Sequence, residues 1–376
     1  MKRFLSWCKK EIVLSIAFVL AIVSAFIIPP DRAYWGYIDF KTLAILFCLM
    51  AVMAGTQKIG VFGYIAEKLL NKVSNMRSLV LILVLLCFFS SMLITNDVAL
   101  ITFVPFTFIV LKMTLGDESW RLVVPIVVLQ TIAANLGSML TPIGNPQNLY
   151  LYGKVSMSFL EFMMLMMPYT VLSLVILVIG CLLLPYKGDK KLSLDGYASI
   201  SLRSKKKELL IYGALFVLCV LTVAHVVPYM ITLFVVLVLV FLLDREALKK
   251  VDYALLLTFV GFFLFIGNMG RIPAFYEFLE KIVQGNEVLT GVVASQFMSN
   301  VPAALLLSGF TRHYEGLIVG TNLGGLGTMI ASMASLISFK YIGRDYKSQR
   351  GKYFLYFTVA NLVFLGILLL YVSITD

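Results

Sequence analysis

Charged residues and histidines are scarce in this chain of 376 residues. Only 14% of its residues are charged, against about 25% in soluble domains, whereas 60% are hydrophobic and the mean hydropathy is +0.95. The two histidines, His225 and His313, are too few and too far apart to suggest a histidine-based metal site. The five cysteines are isolated and include no CxxC pair, so we expect small core residues and no disulfide framework. This composition predicts an all-α polytopic membrane protein.

A single basic patch is also missing, although the net charge is +11. The basic residues fall in short polar gaps between apolar stretches, which argues against a nucleic-acid partner. With the N-terminus inside, 25 of the 31 Lys and Arg residues lie on the predicted cytoplasmic side and six on the other side. This asymmetry follows the positive-inside rule. It predicts a multi-pass protein of the cytoplasmic (inner) membrane with its N-terminus inside and its C-terminus outside.

The apolar runs predict nine membrane crossings and two re-entrant hairpins. A crossing needs about 20 apolar residues. The predicted crossings are 11–29, 38–56, 121–152, 158–185, 209–228, 229–243, 253–269, 314–340 and 353–374. Runs 78–112 and 287–311 carry a polar motif at mid-length, so we predict that each folds back within the membrane with the motif at its tip.

The two tip motifs have the same internal spacing. In the first, Ser91 is followed by Thr95 and Asn96; in the second, Ser295 is followed by Ser299 and Asn300. Unpaired polar groups in hydrocarbon cost several kcal/mol, so polar side chains at that depth indicate a functional site. The alternative is that these polar side chains only form hydrogen bonds that hold neighbouring helices together. Because the spacing occurs twice, we favour the functional site.

Other elements recur in the same order, which predicts two inverted repeats. The amphipathic segments 59–70 and 272–283 correspond, and Asn135–Asn145 corresponds to Asn322–Ser332. We predict a first repeat over 11–185, with hairpin 78–112 and broken helix 121–152. The second covers 229–375, with hairpin 287–311 and broken helix 314–340. A cytoplasmic linker and one extra span, 186–228, separate them.

Inverted repeats with broken helices are typical of secondary transporters, which bind substrate and coupling ions near the membrane midplane. Helix N-termini suit an anion, and the side-chain oxygens of Ser91, Asn96, Ser295 and Asn300 suit a small hard cation. A membrane enzyme would need a nucleophile with a base, or a metal cluster. No such set converges in the sequence, so we do not predict an enzyme.

At these residues the sequence resembles the ion transporter superfamily, which includes divalent-anion/sodium symporters, citrate transporters, arsenite permeases and sodium/proton antiporters. The resemblance implies two sodium sites, one at Ser91, Asn96 and Gly137 and one at Ser295, Asn300 and Gly324. It also implies a scaffold domain, a transport domain that moves as an elevator, and a homodimer. The predicted substrate site comprises Thr95, Asn96, Asp97, Ser299, Asn300, Thr141, Asn145, Thr328 and Ser332.

The third tip position differs from the symporters, which have threonine there. Asp97 would repel a carboxylate if ionised, and Val301 cannot donate a hydrogen bond. We nevertheless predict a small anion, an organic (di/tri)carboxylate, moved through the lipid bilayer with sodium or protons as coupling ion and no other cofactor. The alternatives are an arsenite/antimonite efflux permease and a sodium/proton antiporter. Asp97 itself is either a helix N-cap or a carrier of the proton or cation.

Overall fold

The secondary structure is entirely helical in residues 11–70, 73, 75–185 and 206–375, the part of the chain that this computed structural model describes. The first half contains α1 (Ile12–Ile27), α2 (Tyr34–Tyr37), α3 (Phe40–Ile59), α4 (Val61–Leu70), α5 (Met76–Ile94), α6 (Asn96–Leu115), α7 (Trp120–Ser138), α8 (Pro146–Tyr152) and α9 (Phe159–Leu182). The second contains α10 (Lys206–Val223), α11 (Tyr229–Leu243), α12 (Arg245–Lys249), α13 (Tyr253–Met269), α14 (Pro273–Val283), α15 (Glu287–Met298), α16 (Asn300–Leu307), α17 (Tyr314–Leu323), α18 (Met333–Asp345) and α19 (Arg350–Thr375). Most of the predicted linker, 186–205, lies outside the described residues.

Six of the described helical stretches are long and apolar enough to cross a membrane: α3, α5, α6, α7, α9 and the stretch Lys347–Thr375. A seventh candidate is the pair α13 and α14, which is bent by 108° where the amphipathic segment begins. The shorter apolar helices are α1 and α11. These helices confirm a polytopic membrane protein. The share of each helix that is buried inside the protein differs widely, from 94% in α7 to 33% in α9.

The α5–α6 pair folds back on itself at Thr95. Gln130 of α7 donates its side-chain amide both to the Leu83 carbonyl, 3.0 Å away, and to the Thr107 hydroxyl, 2.8 Å away. Leu83 and Thr107 each lie twelve residues from the turn, one on each arm. A straight helix would separate residues 24 apart by about 36 Å. The two arms are therefore antiparallel neighbours, and each of them is long and apolar enough to cross a membrane.

The α15–α16 pair folds back at Ser299 in the same way. Thr311, beyond the end of α16, donates its hydroxyl to the Glu287 carboxylate at 2.8 Å. These two residues also lie twelve positions before and after the turn. Glu287 is buried, and it accepts a second bond from the Gly285 N–H at 3.2 Å. A buried carboxylate with two donors thus holds the open end of the second hairpin together.

The helix α7 lies at the centre of the molecule, and nearly all of its residues are buried inside the protein. It packs against α5, α6, α9 and α19. Its Thr131 donates to the Ser338 hydroxyl of α18 at 2.7 Å. The four cysteines in the described residues, Cys48, Cys87, Cys181 and Cys219, are buried, which confirms the expectation of core positions. Both helices predicted to be broken are interrupted, α7–α8 between Ser138 and Pro146 and α17–α18 between Leu323 and Met333.

Candidate functional site

The two hairpin tips share an unusual backbone conformation. Thr95 has φ 65° and ψ 148°, and Ser299 has φ 76° and ψ 153°. These angles lie near a region that glycine occupies almost alone, and a residue with a side chain there costs about 1–3 kcal/mol. Strain of this size persists only where the surrounding structure enforces it. Its presence at both tips indicates that the position of the next residue, Asn96 or Asn300, matters more than local stability.

Each tip is bound to the helix break of its own half. The Asn96 N–H donates to the Gly144 carbonyl at 3.3 Å, and the Asn300 N–H donates to the Ala331 carbonyl at 2.9 Å. Gly144 and Ala331 hold equivalent positions in the two recurring sequences Asn135–Asn145 and Asn322–Ser332. The tip and the break are therefore joined by the same backbone bond in both halves.

Two predicted substrate ligands, Thr141 and Thr328, instead hold the breaks on the hairpins. The Thr141 hydroxyl donates to the Met92 carbonyl at 2.5 Å, and the Thr328 hydroxyl donates to the Gln296 carbonyl at 3.0 Å. Met92 and Gln296 are equivalent positions, each one residue after the serine of its motif. Thr141 is buried, whereas Thr328 is exposed. Both hydroxyls are used by backbone carbonyls in this structure.

The first break is stabilised by Asn148, a role that the sequence analysis did not identify. Its side-chain amide donates towards the carbonyls of Ser138, Met139 and Thr141 at 3.4, 3.2 and 3.1 Å. Breaking a helix frees carbonyls that hydrocarbon cannot satisfy. One fully buried amide therefore replaces the hydrogen bonds that the helix loses here.

The second break is stabilised by Gln296, which comes from the hairpin and not from the break. Its amide N–H groups lie 3.1 Å from the Gly324 carbonyl and 2.9 Å from the Leu326 carbonyl, and its oxygen accepts from the Thr328 N–H at 2.8 Å. The equivalent residue in the first half is Met92, which cannot do this. The carbonyls of Met139 and Leu326 are equivalent, so the two halves satisfy this backbone group with amides from non-equivalent positions, and no sequence signal marks them.

The serine of each motif packs against the glycine of the adjacent break. A Cβ on Gly137 would lie 2.5 Å from the Ser91 hydroxyl and 2.0 Å from the Phe88 carbonyl. A Cβ on Gly324 would lie 2.6 Å from the Ser295 hydroxyl. Both serines are fully buried and donate within their own helices. The structure therefore brings together Ser91 with Gly137 and Ser295 with Gly324, the pairs that were predicted to bind cations.

Asn135 and Asn322 join the two halves reciprocally. Asn135 accepts the Ser332 hydroxyl at 2.9 Å and the Asn96 amide at 3.0 Å through the same oxygen. In the opposite sense, the Asn322 oxygen accepts the Asn145 amide at 3.0 Å. Ser332 and Asn145 are equivalent, as are Asn135 and Asn322. Each half therefore contributes the same residue to the break of the other, which is the contact pattern of a two-fold arrangement.

A small cavity lies where the tips and breaks of both halves meet. Its volume is about 20 Å³, which holds roughly one water molecule. Its lining consists of the first residues of five helices, together with the residue before two of them. These lining residues are Asn96 and Asp97 of α6, Pro146 and Gln147 of α8, Asp252 and Leu255 at the start of α13, Asn300 and Val301 of α16, and Ser332 and Met333 at the start of α18.

Two carboxylates face this cavity, and none of its lining residues is Lys or Arg. Asp252 caps α13 by accepting the Leu255 N–H at 2.9 Å. Asp97 lies in the first turn of α6, and its shielded Oδ1 atom has no hydrogen-bond partner. The N-cap hypothesis for Asp97 is wrong, because Thr95 occupies the N-cap position and the Asp97 N–H itself donates to the Asn96 side-chain oxygen at 3.0 Å. An acidic oxygen left free beside a cavity is available to a proton or a cation.

Four of the predicted site residues line the cavity: Asn96, Asp97, Asn300 and Ser332. The other members of the predicted site hold the tips and breaks in position, and Thr328 is exposed beside Gln296. Asp252 was missed. A signal for it exists, because Asp252 precedes α13 as Asp39 precedes α3, and both helices lead into amphipathic segments. Nothing in the sequence distinguishes the aspartate that faces the cavity from the one that does not.

Comparison with known proteins identifies the family. Residues 4–313 match the family model described as citrate transporter. The chain is 31% identical over 327 residues to an uncharacterized transporter of Methanocaldococcus jannaschii, covering 87% of each chain. It is 29% identical over 327 residues to the inner membrane protein YbiR of Escherichia coli, covering 86% of this chain and 85% of that one. A silicon efflux transporter of Oryza sativa subsp. japonica, LSI3, is 30% identical over 138 residues, which is 37% of this chain and 27% of that one. This multi-pass membrane protein is therefore a transporter, and it belongs to the citrate transporter family.

Proposed function

We propose that this protein is a secondary active transporter that moves a small organic (di/tri)carboxylate across the cytoplasmic membrane, coupled to sodium or protons. The observation that carries the proposal is the convergence of helix N-termini and tip asparagines from both halves on one cavity. Helix N-termini that point into a shared cavity suit an anionic substrate. The amides of Asn96 and Asn300 offer both donors and acceptors to a carboxylate.

The charges at the cavity explain why a cation is needed for anion binding. Four of the converging helices, α6, α13, α16 and α18, are at least eight residues long. Each N-terminus carries about half a positive charge, or about two charges together. Asp97 and Asp252 offset this field when both are ionised. Binding of a proton or a sodium ion leaves a net positive site, which then attracts the carboxylate. Coupling thus follows from charge balance.

The reciprocal contacts support alternating access by two inverted repeats, 11–185 and 229–375, joined by 186–228. These reciprocal hydrogen bonds between the halves are few, and Asn135–Ser332 is equivalent to Asn322–Asn145. A movement of one half against the other therefore exchanges similar hydrogen bonds. A tricarboxylate does not fit into about 20 Å³, so loading requires the tips to separate from the breaks. We extend the proposal to re-entrant hairpins, an elevator-like transport domain, a homodimer, and an N-terminus inside with the C-terminus outside.

A second candidate is an arsenite/antimonite efflux permease or a sodium/proton antiporter. The acidic cavity favours it, since two carboxylates without a neighbouring Lys or Arg suit a cation or an uncharged hydroxylated acid better than a free anion. The similarity to a transporter named for silicon efflux points in the same direction. An uncharged acid of this kind needs donors and acceptors, which the amides and Ser332 supply.

Reconstituted protein tests the proposal through three variants: Asp97→Asn, Asp252→Asn and Asp39→Asn. Asparagine caps a helix about as well as aspartate, so the last two variants are matched in stability. Of Asp252 and Asp39, only Asp252 lines the cavity. We expect Asp97→Asn and Asp252→Asn to lower coupled citrate uptake at least tenfold and to flatten its dependence on pH or sodium, whereas Asp39→Asn transports normally.

Uptake is measured in vesicles with sodium and pH gradients varied separately, and arsenite and silicic acid are offered in parallel. Unchanged coupling in both cavity variants would remove the carboxylates from the mechanism. The second candidate would be favoured by arsenite transport, or by exchange of protons for sodium, if no carboxylate uptake occurs under any gradient.

A further inference from the structure

A cleft lies between α6 and α18, on the outer surface of the molecule and away from the cavity. Its volume is about 270 Å³. One wall is Ile101 of α6, and the other is formed by Ile337, Lys340, Tyr341 and Arg344 of α18. The Tyr341 hydroxyl lies 3.5 Å from the Ile101 carbonyl and joins the two walls. The cleft therefore has an apolar part and a basic part.

The basic part lies near the end of α18 and carries excess positive charge. Lys340 is exposed, whereas Arg344 forms a two-pronged bond to Asp345 with distances of 2.8 and 2.9 Å. Between Lys340 and Lys352 the chain has five basic residues and one acidic residue. Asp345 can therefore neutralise only one of these charges, and the Lys340 ammonium remains available to an anion.

The apolar part lies one to two helical turns closer to the start of α18. Ile337 precedes Arg344 by seven residues, which is about 10 Å along a helix axis. Ile101 is 41% exposed at the opposite wall. An acyl chain and a phosphate joined in one molecule span this distance at the membrane boundary. A soluble anion would use the basic part alone.

We propose that this cleft binds an anionic phospholipid, with its phosphate on Lys340 and its acyl chain against Ile101 and Ile337. Basic clefts between membrane helices on the cytoplasmic side are suited to such headgroups. The lipid contacts one helix from each half of the molecule. Both helices start at the candidate site, because Asn96 begins α6 and Met333 begins α18 and both residues line the cavity.

The bound lipid links α6 to α18 and so favours the arrangement in which the cavity is closed. Anionic lipid therefore stabilises this state and changes the turnover of the transporter. Lipid binding is independent of the transported substrate, and only the effect on turnover rests on the proposed function. A binding measurement made without substrate keeps the two apart.

The test uses the full chain purified in dodecyl maltoside and titrated with dioleoyl phosphatidylglycerol, dioleoyl phosphatidylcholine or inorganic phosphate. The readouts are the thermal unfolding midpoint and the lipid retained in native mass spectra. We expect phosphatidylglycerol to raise the midpoint at concentrations where the other two have no effect. Lys340→Gln should weaken its apparent affinity about fivefold, the effect of one basic residue at a membrane surface.

Two variants control for folding and for diffuse charge. Lys340→Arg retains the positive charge and should bind phosphatidylglycerol like the wild type. Lys347→Gln removes an exposed charge outside the cleft and should bind normally. Equal stabilisation by phosphatidylcholine or by phosphate would overturn the proposal, as would equal losses in Lys340→Gln and Lys347→Gln. A selective loss of phosphatidylglycerol binding in Lys340→Gln supports the lipid site whatever the transported substrate, because the binding measurement contains no substrate.

Discussion

Gln296 offers the sharpest test of how the second helix break is held in the membrane. Replacing it with methionine keeps a long, unbranched side chain of high helix propensity. The same position in the first hairpin is Met92, so methionine is compatible with a hairpin arm next to the tip. Gln296→Met therefore removes the amide without a large change of shape.

The expected loss follows from three hydrogen bonds. Gln296 links α15 to the Gly324 carbonyl, the Leu326 carbonyl and the Thr328 N–H, at 3.1, 2.9 and 2.8 Å. Side-chain bonds in membrane proteins contribute about 0.6 kcal/mol on average and up to about 1.7 kcal/mol. Gln296 is only half-buried, so water can replace part of this. We expect the free energy of unfolding to fall by about 2 kcal/mol.

The assay is equilibrium unfolding in mixed micelles, with increasing dodecyl sulfate and circular dichroism as the signal. Gln284→Met, at an exposed position after α14, is the matched control and should stay within about 0.5 kcal/mol of the wild type. Gln296→Glu keeps the shape but turns an oxygen towards two carbonyls, so it should destabilise at least as much as methionine. A change below about 0.5 kcal/mol in Gln296→Met, or full tolerance of glutamate, would refute the bridging role.

The remaining predictions concern one close contact and one surface ion pair. Gly137→Ala should cost about 3 kcal/mol or more and reduce the yield of folded protein, since its Cβ would lie 2.0 Å from the Phe88 carbonyl. Gly366→Ala, which has no atom within 4 Å of its added Cβ, is the control and should be neutral or stabilising in the same assay. The hydrogen bond from Arg271, at 2.7 Å, is the main reason that the pKa of Asp31 lies below its usual value. The ion pair therefore stabilises the fold above the usual carboxyl pKa and loses its effect as the pH falls through the lowered one. Wild type and Asp31→Asn should accordingly differ in unfolding free energy at neutral pH and converge once the pH falls below the lowered pKa of Asp31, and a constant difference at all pH values would contradict this assignment.

The sequence by itself determined the helices, the hairpins and the breaks, because each depends on residues close together in the chain. Apolar run lengths predict where the apolar helices lie, and the runs 229–243 and 253–269 coincide with α11 and α13. The polar motifs at Asn96 and Asn300 stand at the turns, since a helix in hydrocarbon is interrupted only where polar groups can be satisfied. The correspondence between Asn135 and Asn322 could also be recognised in the sequence, because each lies in a short segment whose residues are close together in the chain.

Only the tertiary structure decided which side chains satisfy the breaks and which charges meet. Asn148 and Gln296 serve equivalent carbonyls from non-equivalent positions, so the internal repeat could not reveal them. Asp252 faces the cavity beside Asp97, whereas Asp39, with the same local sequence role, does not line it. Asp97 and Asp252 lie more than 150 residues apart in the sequence, and packing of the whole chain brings them together. Helix formation is local, but the pairing of buried polar groups depends on the whole fold.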